Sequence, residues 1–141
     1  VRNGADEIDM VVNLGLVRAG EWRGVESDVH AVRNAIDLVA SGRMLKVICE
    51  SAALSDDELR NTCRAAGAGG ADFVKTSTGF HKAGGATERA VAIMREVVGD
   101  GVGVKASGGI RTTTAALAMI AAGATRIGAS ATRDILVGMP R

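Results

Sequence analysis

The sequence predicts a parallel α/β fold built from repeated strand–helix units. Three short stretches resemble one another: "GADEI" at 4–8, "GADFV" at 70–74 and "GATRI" at 123–127. Each is a glycine, a small residue, a polar residue and then an apolar entry. Glycine suits the left-handed position just past a helix end, and the residues after it read as a buried strand. Two further apolar runs, "LKVIC" at 45–49 and "VGVKA" at 102–106, have the same look. Helical spacing fills the gaps between the five runs. Strand and helix alternating five times require a parallel sheet covered by helices.

Taken in order, strands are expected at 6–13, 45–50, 72–76, 102–106 and 126–129. After the first strand, Trp22, Val25, Val29, Val32, Ile36 and Val39 are spaced by three and four and draw one apolar helical stripe. Ser55 with Glu58 is a capping-box signature before Leu59 and Cys63. Thr87 can cap a helix carrying Val91, Met94, Val97 and Val98, and one of Thr112, Thr113 or Thr114 can cap one carrying Leu117 and Ile120. A last short helix is expected over 132–137. The 19 glycines fall at segment boundaries and there is a single proline, with no low-complexity tract or linker, so residues 1–141 read as a single domain. Two architectures fit: an open doubly wound sheet, for which five units is a normal size, or a β/α barrel, which typically takes about 250 residues and eight units.

Composition excludes several functions. With 17 basic and 16 acidic residues the net charge is +1, which gives no long-range attraction to nucleic acid or to an anionic membrane surface. Trp22, Phe73 and Phe80 are the whole aromatic set, too few for a base-stacking surface. No apolar stretch approaches the ~20 residues that span a bilayer, and no signal peptide is visible. Cys49 and Cys63 lack metal-ligand spacing and read as buried free thiols of a reducing cytoplasm. The chain begins at Val1 rather than methionine, and is expected to be part of something longer.

The chemistry sits at the strand ends, where both architectures bind ligands. Asp9 lies in "DEIDMVVN", Lys46 and Glu50 bracket "KVICE", Lys75 closes "DFVK", and Lys105 closes "VGVK". Alternation puts Glu7, Asp9 and Val11 on one face, and likewise Lys46, Ile48 and Glu50. For Lys46 and Glu50 a buried ion pair is the expectation, because nothing anion-friendly comes after them. Lys75 is followed by "TSTG" and Lys105 by "SGG" after one alanine, and "GAS" follows Arg126-Ile127. Such runs offer backbone N–H groups and hydroxyls to an anion, and two of them after consecutive strands point to a phosphate monoester. A lysine amine attacks a carbonyl only when neutral. Taking its pKa from about 10.4 to about 7 requires roughly 4 kcal/mol against the cation. A second ammonium and an apolar wall both act in that direction. The pair Lys75 and Lys105 therefore suggests Schiff-base chemistry, with Asp9 as a proton carrier through water.

"GADEIDMVVNLG" at 4–15, "LKVICE" at 45–50, "GADFVKTSTGF" at 70–80 and "VGVKASGGIR" at 102–111, supported by "RIGAS" at 126–130, resemble the 2-deoxyribose-5-phosphate aldolases over essentially the whole chain. The resemblance implies a (β/α)8 TIM barrel of which the five strands are the fourth to eighth. It implies a class I aldolase without metal or other cofactor, cleaving 2-deoxyribose 5-phosphate reversibly to acetaldehyde and glyceraldehyde 3-phosphate in the cytoplasm. Carried over by position, Lys75 is the Schiff-base lysine, Lys105 the neighbour that tunes it and Asp9 a member of the proton relay. Thr78, Gly79, Gly108, Gly109, Gly128 and Ser130 surround the phosphate. Two positions depart from the pattern: Phe80-His81 stand where some members carry a lysine, and Ala131 where a second serine occurs. With three barrel units missing, the expected partners beyond phosphosugar and aldehyde are a missing N-terminal barrel segment or further copies of the chain. The competing reading is a phosphate-binding α/β fragment without catalysis.

Overall fold

The computed structural model describes residues 1–139. Strands β1 (Glu7–Val11), β2 (Met44–Ile48), β3 (Phe73–Lys75), β4 (Gly103–Ser107) and β5 (Arg126–Gly128) form one parallel sheet in the order β1-β2-β3-β4-β5. Helices α1 (Leu14–Arg18) and α2 (Trp22–Asp37) follow β1. Helix α3 (Asp56–Ala68) follows β2, α4 (Glu88–Val98) follows β3, α5 (Thr113–Ala121) follows β4 and α6 (Thr132–Val137) follows β5.

The strand order decides between the two architectures. A doubly wound sheet reverses direction at a switch point and carries helices on both faces. Here every strand lies beside its predecessor, always advancing the same way, and crossovers of constant hand then stack all helices along one face. The consecutive pairs α2 and α3, α3 and α4, α4 and α5, and α5 and α6 do pack together. This is the winding of a β/α barrel, in five consecutive units that do not close, and the doubly wound alternative is set aside.

The pleat sorts the residues. Leu45, Val47, Val74 and Val104 are wholly buried and point at the helix layer. There they meet Val25 and Val29 of α2, Cys63 and Ala66 of α3, and Val91 and Met94 of α4, in one apolar cluster. Each valine, leucine or methionine among them contributes about 1.5–3 kcal/mol on burial. The residues between them, Lys46, Lys75 and Lys105, point to the opposite, concave face. That face is strongly curved. Four strand spacings of a flat sheet would separate β1 from β5 by roughly 19 Å. Yet Arg126 of β5 donates to both carboxylate oxygens of Glu7 of β1, at 2.8 and 3.0 Å.

Local signals decide the helix ends. Ser55 and Glu58 form the capping box, and Thr87 and Thr112 accept from the N–H groups of Ala90 and Ala115. Gly70 and Gly123 take φ of +92° and +113°, the left-handed turn expected of the repeated glycine. Two segments differ from expectation. The first strand stops at Val11 rather than at 13, because Asn13 accepts from the N–H groups of Gly15 and Leu16 and starts α1, a five-residue helix too short and glycine-rich to show in the sequence. The second strand stops at Ile48, because Glu50 adopts φ +45°, ψ +50° and turns the chain into a 3-10 turn at Ser51–Ala53.

Candidate active site

The concave face is lined with charge because parallel strands in register bring polar residues of matching parity side by side. Asp9 pairs in register with Lys46, and Lys75 with Lys105. The side chains then converge on Asp9. Its Oδ2 accepts from Lys75 Nζ at 2.7 Å and lies 3.6 Å from Lys105 Nζ, while its Oδ1 accepts from Lys46 Nζ at 2.9 Å. Lys46, 2% exposed, also reaches Glu7 Oε2 at 2.7 Å, and Glu7 is held on its other side by Arg126. The Arg126 guanidinium stacks over the Phe73 ring, 4.7 Å from its centroid. Two carboxylates thus serve four cations, Lys46, Lys75, Lys105 and Arg126, and the face carries surplus positive charge.

The protonation pattern is set by these contacts. Partial burial would raise the Asp9 carboxyl, but hydrogen bonds from Lys75 and Lys46 and the charges of Lys105 and Lys75 outweigh it and hold the group at about 2. For Lys46, burial is outweighed by hydrogen bonds to Glu7 and Asp9, which push the ammonium up. Lys105 behaves oppositely: burial, helped by the charges of Lys75 and Lys46, outweighs Asp9 and lowers it. Resting Asp9 is accordingly an anion that clamps the lysines around it.

Above the lysines opens a cavity of about 500 Å³. Lys75 and Lys105 form its floor, and the expected anion-binding positions Thr78, Gly79, Gly108, Gly109, Gly128 and Ser130 all lie on its wall. The catalytic and phosphate positions named from the sequence are therefore neighbours in space. Gly128 has a steric reason: a Cβ there would sit 3.0 Å from Ser107 Cβ and 3.3 Å from Lys105 Cε, in the path of the lysine. Gly108 and Gly109 both have positive φ, +92° and +81°, and the Gly108 carbonyl accepts from Ala86 N–H at 3.0 Å. Gly85 passes so close that a Cβ would lie 2.2 Å from the Gly108 oxygen.

Three features were not legible in the sequence. Arg111 also lines the cavity and adds a cation to it; the arginine after "GGI" is the signal that could have found it. Lys46 is in a buried ion pair as expected, but with Glu7 and Asp9 rather than Glu50. Glu50 instead accepts from the Thr78 hydroxyl at 2.5 Å and its N–H at 3.4 Å, because the left-handed turn at residue 50 takes it off the strand face. Cys49 and Cys63 are both buried and free, with their sulfurs 4.0 Å apart. Among the described residues no group of three or more His, Cys, Asp or Glu side chains is placed to hold a metal ion, and no helix is long and apolar enough to cross a membrane.

Known proteins share this arrangement of strands and sequence. The deoxyribose-phosphate aldolase of Kocuria rhizophila is 60% identical over 139 residues, covering 99% of this chain and 62% of that protein. That of Nocardia farcinica is 54% identical over 140 residues, with the same coverage. The tetrameric deoxyribose phosphate aldolase of Aeropyrum pernix superposes with a TM-score of 0.83 at 34% identity, over 96% of this chain and 56% of that one. The chain thus spans about three-fifths of the length of the curated relatives it matches. The model of the DeoC/LacD family aldolases matches residues 1–138, and the chain belongs to that family.

Proposed function

We propose that this chain carries the active site of a Schiff-base aldolase that cleaves 2-deoxyribose 5-phosphate reversibly to acetaldehyde and glyceraldehyde 3-phosphate. The observation that carries the reading is the convergence of Lys75 and Lys105 on one oxygen of Asp9 at the floor of a glycine-walled cavity. Similarity to proteins named deoxyribose-phosphate aldolase supports the substrate.

In this reading Lys75 Nζ, freed of its proton, adds to the C1 aldehyde of the open-chain sugar. Loss of water gives an iminium ion. Lys105, whose neutral form the surroundings favour, takes the proton that Lys75 gives up. The iminium draws electrons from the C2–C3 bond as the C3 hydroxyl loses its proton, which releases glyceraldehyde 3-phosphate and leaves an enamine on Lys75. Protonation at C2 and hydrolysis of the iminium release acetaldehyde and restore the amine. Asp9 holds both nitrogens in place in the resting site. Once imine formation has loosened its contact with Lys75, it takes the proton that the C3 hydroxyl loses. The phosphate lies against Gly79, Gly108, Gly109, Gly128 and Ser130, with Arg111 as counter-charge.

The open edges of β1 and β5 call for more wall. Further βα units of a longer polypeptide, or another copy of the chain, would supply it, and the greater length of the relatives supports the former. The buried free thiols fit a reducing cytoplasm.

Incubation with acetaldehyde and borohydride, then peptide mass mapping, tests the reading. A reduced adduct on Lys75 is expected. Folded protein that acquires no adduct would leave a phosphate-binding module without catalysis.

A further inference from the structure

We propose that Glu50 is a positioning residue that sets the anion-binding loop at residues 76–80, an inference that rests on the phosphate site proposed above. Glu50 is anomalous in three respects. It is the one non-glycine residue with positive φ among the described residues. Its side chain is buried, the residue being 3% exposed. Among the described residues it has no cationic partner. A left-handed glutamate and a buried acid without a counter-ion are both unfavourable, and such features persist where the surroundings require them.

The surroundings show the requirement. Glu50 Oε2 accepts from the Thr78 hydroxyl at 2.5 Å and Oε1 from the Thr78 N–H at 3.4 Å, so both of its oxygens are engaged by one residue. Thr78 Oγ1 in turn accepts from Phe80 N–H at 3.2 Å. The main chain on either side of Glu50 is stitched to the end of β3, with Cys49 N–H donating to the Lys75 carbonyl at 2.8 Å and Ser51 N–H to the Thr76 carbonyl at 2.7 Å. The left-handed turn at Glu50 thus aims its carboxylate across the end of β3 and under the loop. Both donors of Thr78 are spent on Glu50, so Thr78 acts as a strut, and Gly79, with φ +88°, is the residue of this loop left to meet the anion.

The reading makes a prediction opposite in sign to simple electrostatics. A carboxylate beneath an anion site repels the ligand, so removing its charge should tighten phosphate binding. If Glu50 orders the loop, removal should weaken it instead. Titration calorimetry with inorganic phosphate is compared for the wild-type chain, Glu50→Gln, Thr78→Val and Thr78→Ser, together with the rate of borohydride-trapped acetaldehyde adduct on Lys75. Glu50→Gln and Thr78→Val are expected to bind phosphate about tenfold or more weakly, and Glu50→Gln to form the acetaldehyde adduct at the wild-type rate; Thr78→Ser, which keeps the hydroxyl, stays near wild type in phosphate affinity. Equal or tighter phosphate binding by Glu50→Gln overturns the proposal, as does adduct formation that falls in parallel with phosphate affinity. Should Glu50→Gln fail to fold, the contrast between Thr78→Val and Thr78→Ser decides, and equal affinities in those two overturn it. A wild-type chain that traps no acetaldehyde refutes the aldolase reading, while its phosphate titration still decides the role of Glu50; one that binds no phosphate refutes both the site and the strut.

Discussion

Asp9→Asn removes the anion on which three ammonium groups converge, and its cost depends on pH in a defined direction. The Asp9 carboxyl drops from an ordinary 3.8 to about 2. At 1.36 kcal/mol per pH unit that difference is about 2.5 kcal/mol. The side chain keeps 30% exposure, so solvent screening reduces the contribution to about 1 kcal/mol. The folded-state value lies below the unfolded one. The stabilisation is therefore complete above the unfolded pKa and is lost as pH falls from 3.8 through about 2. Urea unfolding of the wild type and the variant at about pH 7, 5, 3 and 2 should show the variant less stable by about 1 kcal/mol or more at neutrality, with the gap closing toward the most acidic point. A gap of the same size at about pH 2 as at about pH 7 would refute the assignment of the ion cluster. So would no gap at neutrality, since Lys46, Lys75 and Lys105 would then lose nothing with their common partner.

Three other outcomes are expected. Lys75→Leu should abolish the borohydride-trapped adduct and sugar cleavage while far-ultraviolet circular dichroism stays native, because Asp9 keeps Lys46 at 2.9 Å; turnover above a tenth of wild type would remove Lys75 as nucleophile. Gly103→Ala should destabilise the chain by about 1–3 kcal/mol, since its Cβ would lie 2.3 Å from Phe73 Cε1 in a ring that also carries Arg126; an unchanged urea midpoint would show that the ring moves freely. Cys49 and Cys63 should resist a thiol reagent until the chain is unfolded, as both are fully buried and the Cys49 thiol is pushed up by its hydrogen bond with Cys63 and by burial; rapid labelling of native protein would contradict that packing.

The sequence by itself determined what depends on neighbours along the chain. Ser55 with Glu58, Thr87 and Thr112 mark helix starts because a cap bonds an N–H two or three residues on. The glycines of the second and third "GA" repeats, Gly70 and Gly123, mark helix exits because φ is a property of one residue. Period-two alternation put Glu7 and Asp9 on one face of the first strand, and strand ends were where Lys75 and Lys105 stood out. Together with the loops after each lysine, this made the candidate residues nameable before any packing was known. The tertiary structure decided what depends on distance across the fold. Strand order separated a barrel winding from a doubly wound sheet, and no local pattern encodes it, since both are written as the same alternation of strands and helices. Curvature brought Arg126 to Glu7 across 119 residues, and register delivered Lys46, Lys75 and Lys105 to one carboxylate. Glu50 was misplaced because a single left-handed residue breaks the alternation that assigned its face. Charge shows in a sequence, but the partner of a charge is fixed by chain segments that meet only on folding. That is why Asp9 and the three lysines could each be named from the sequence and their convergence on one carboxylate could not.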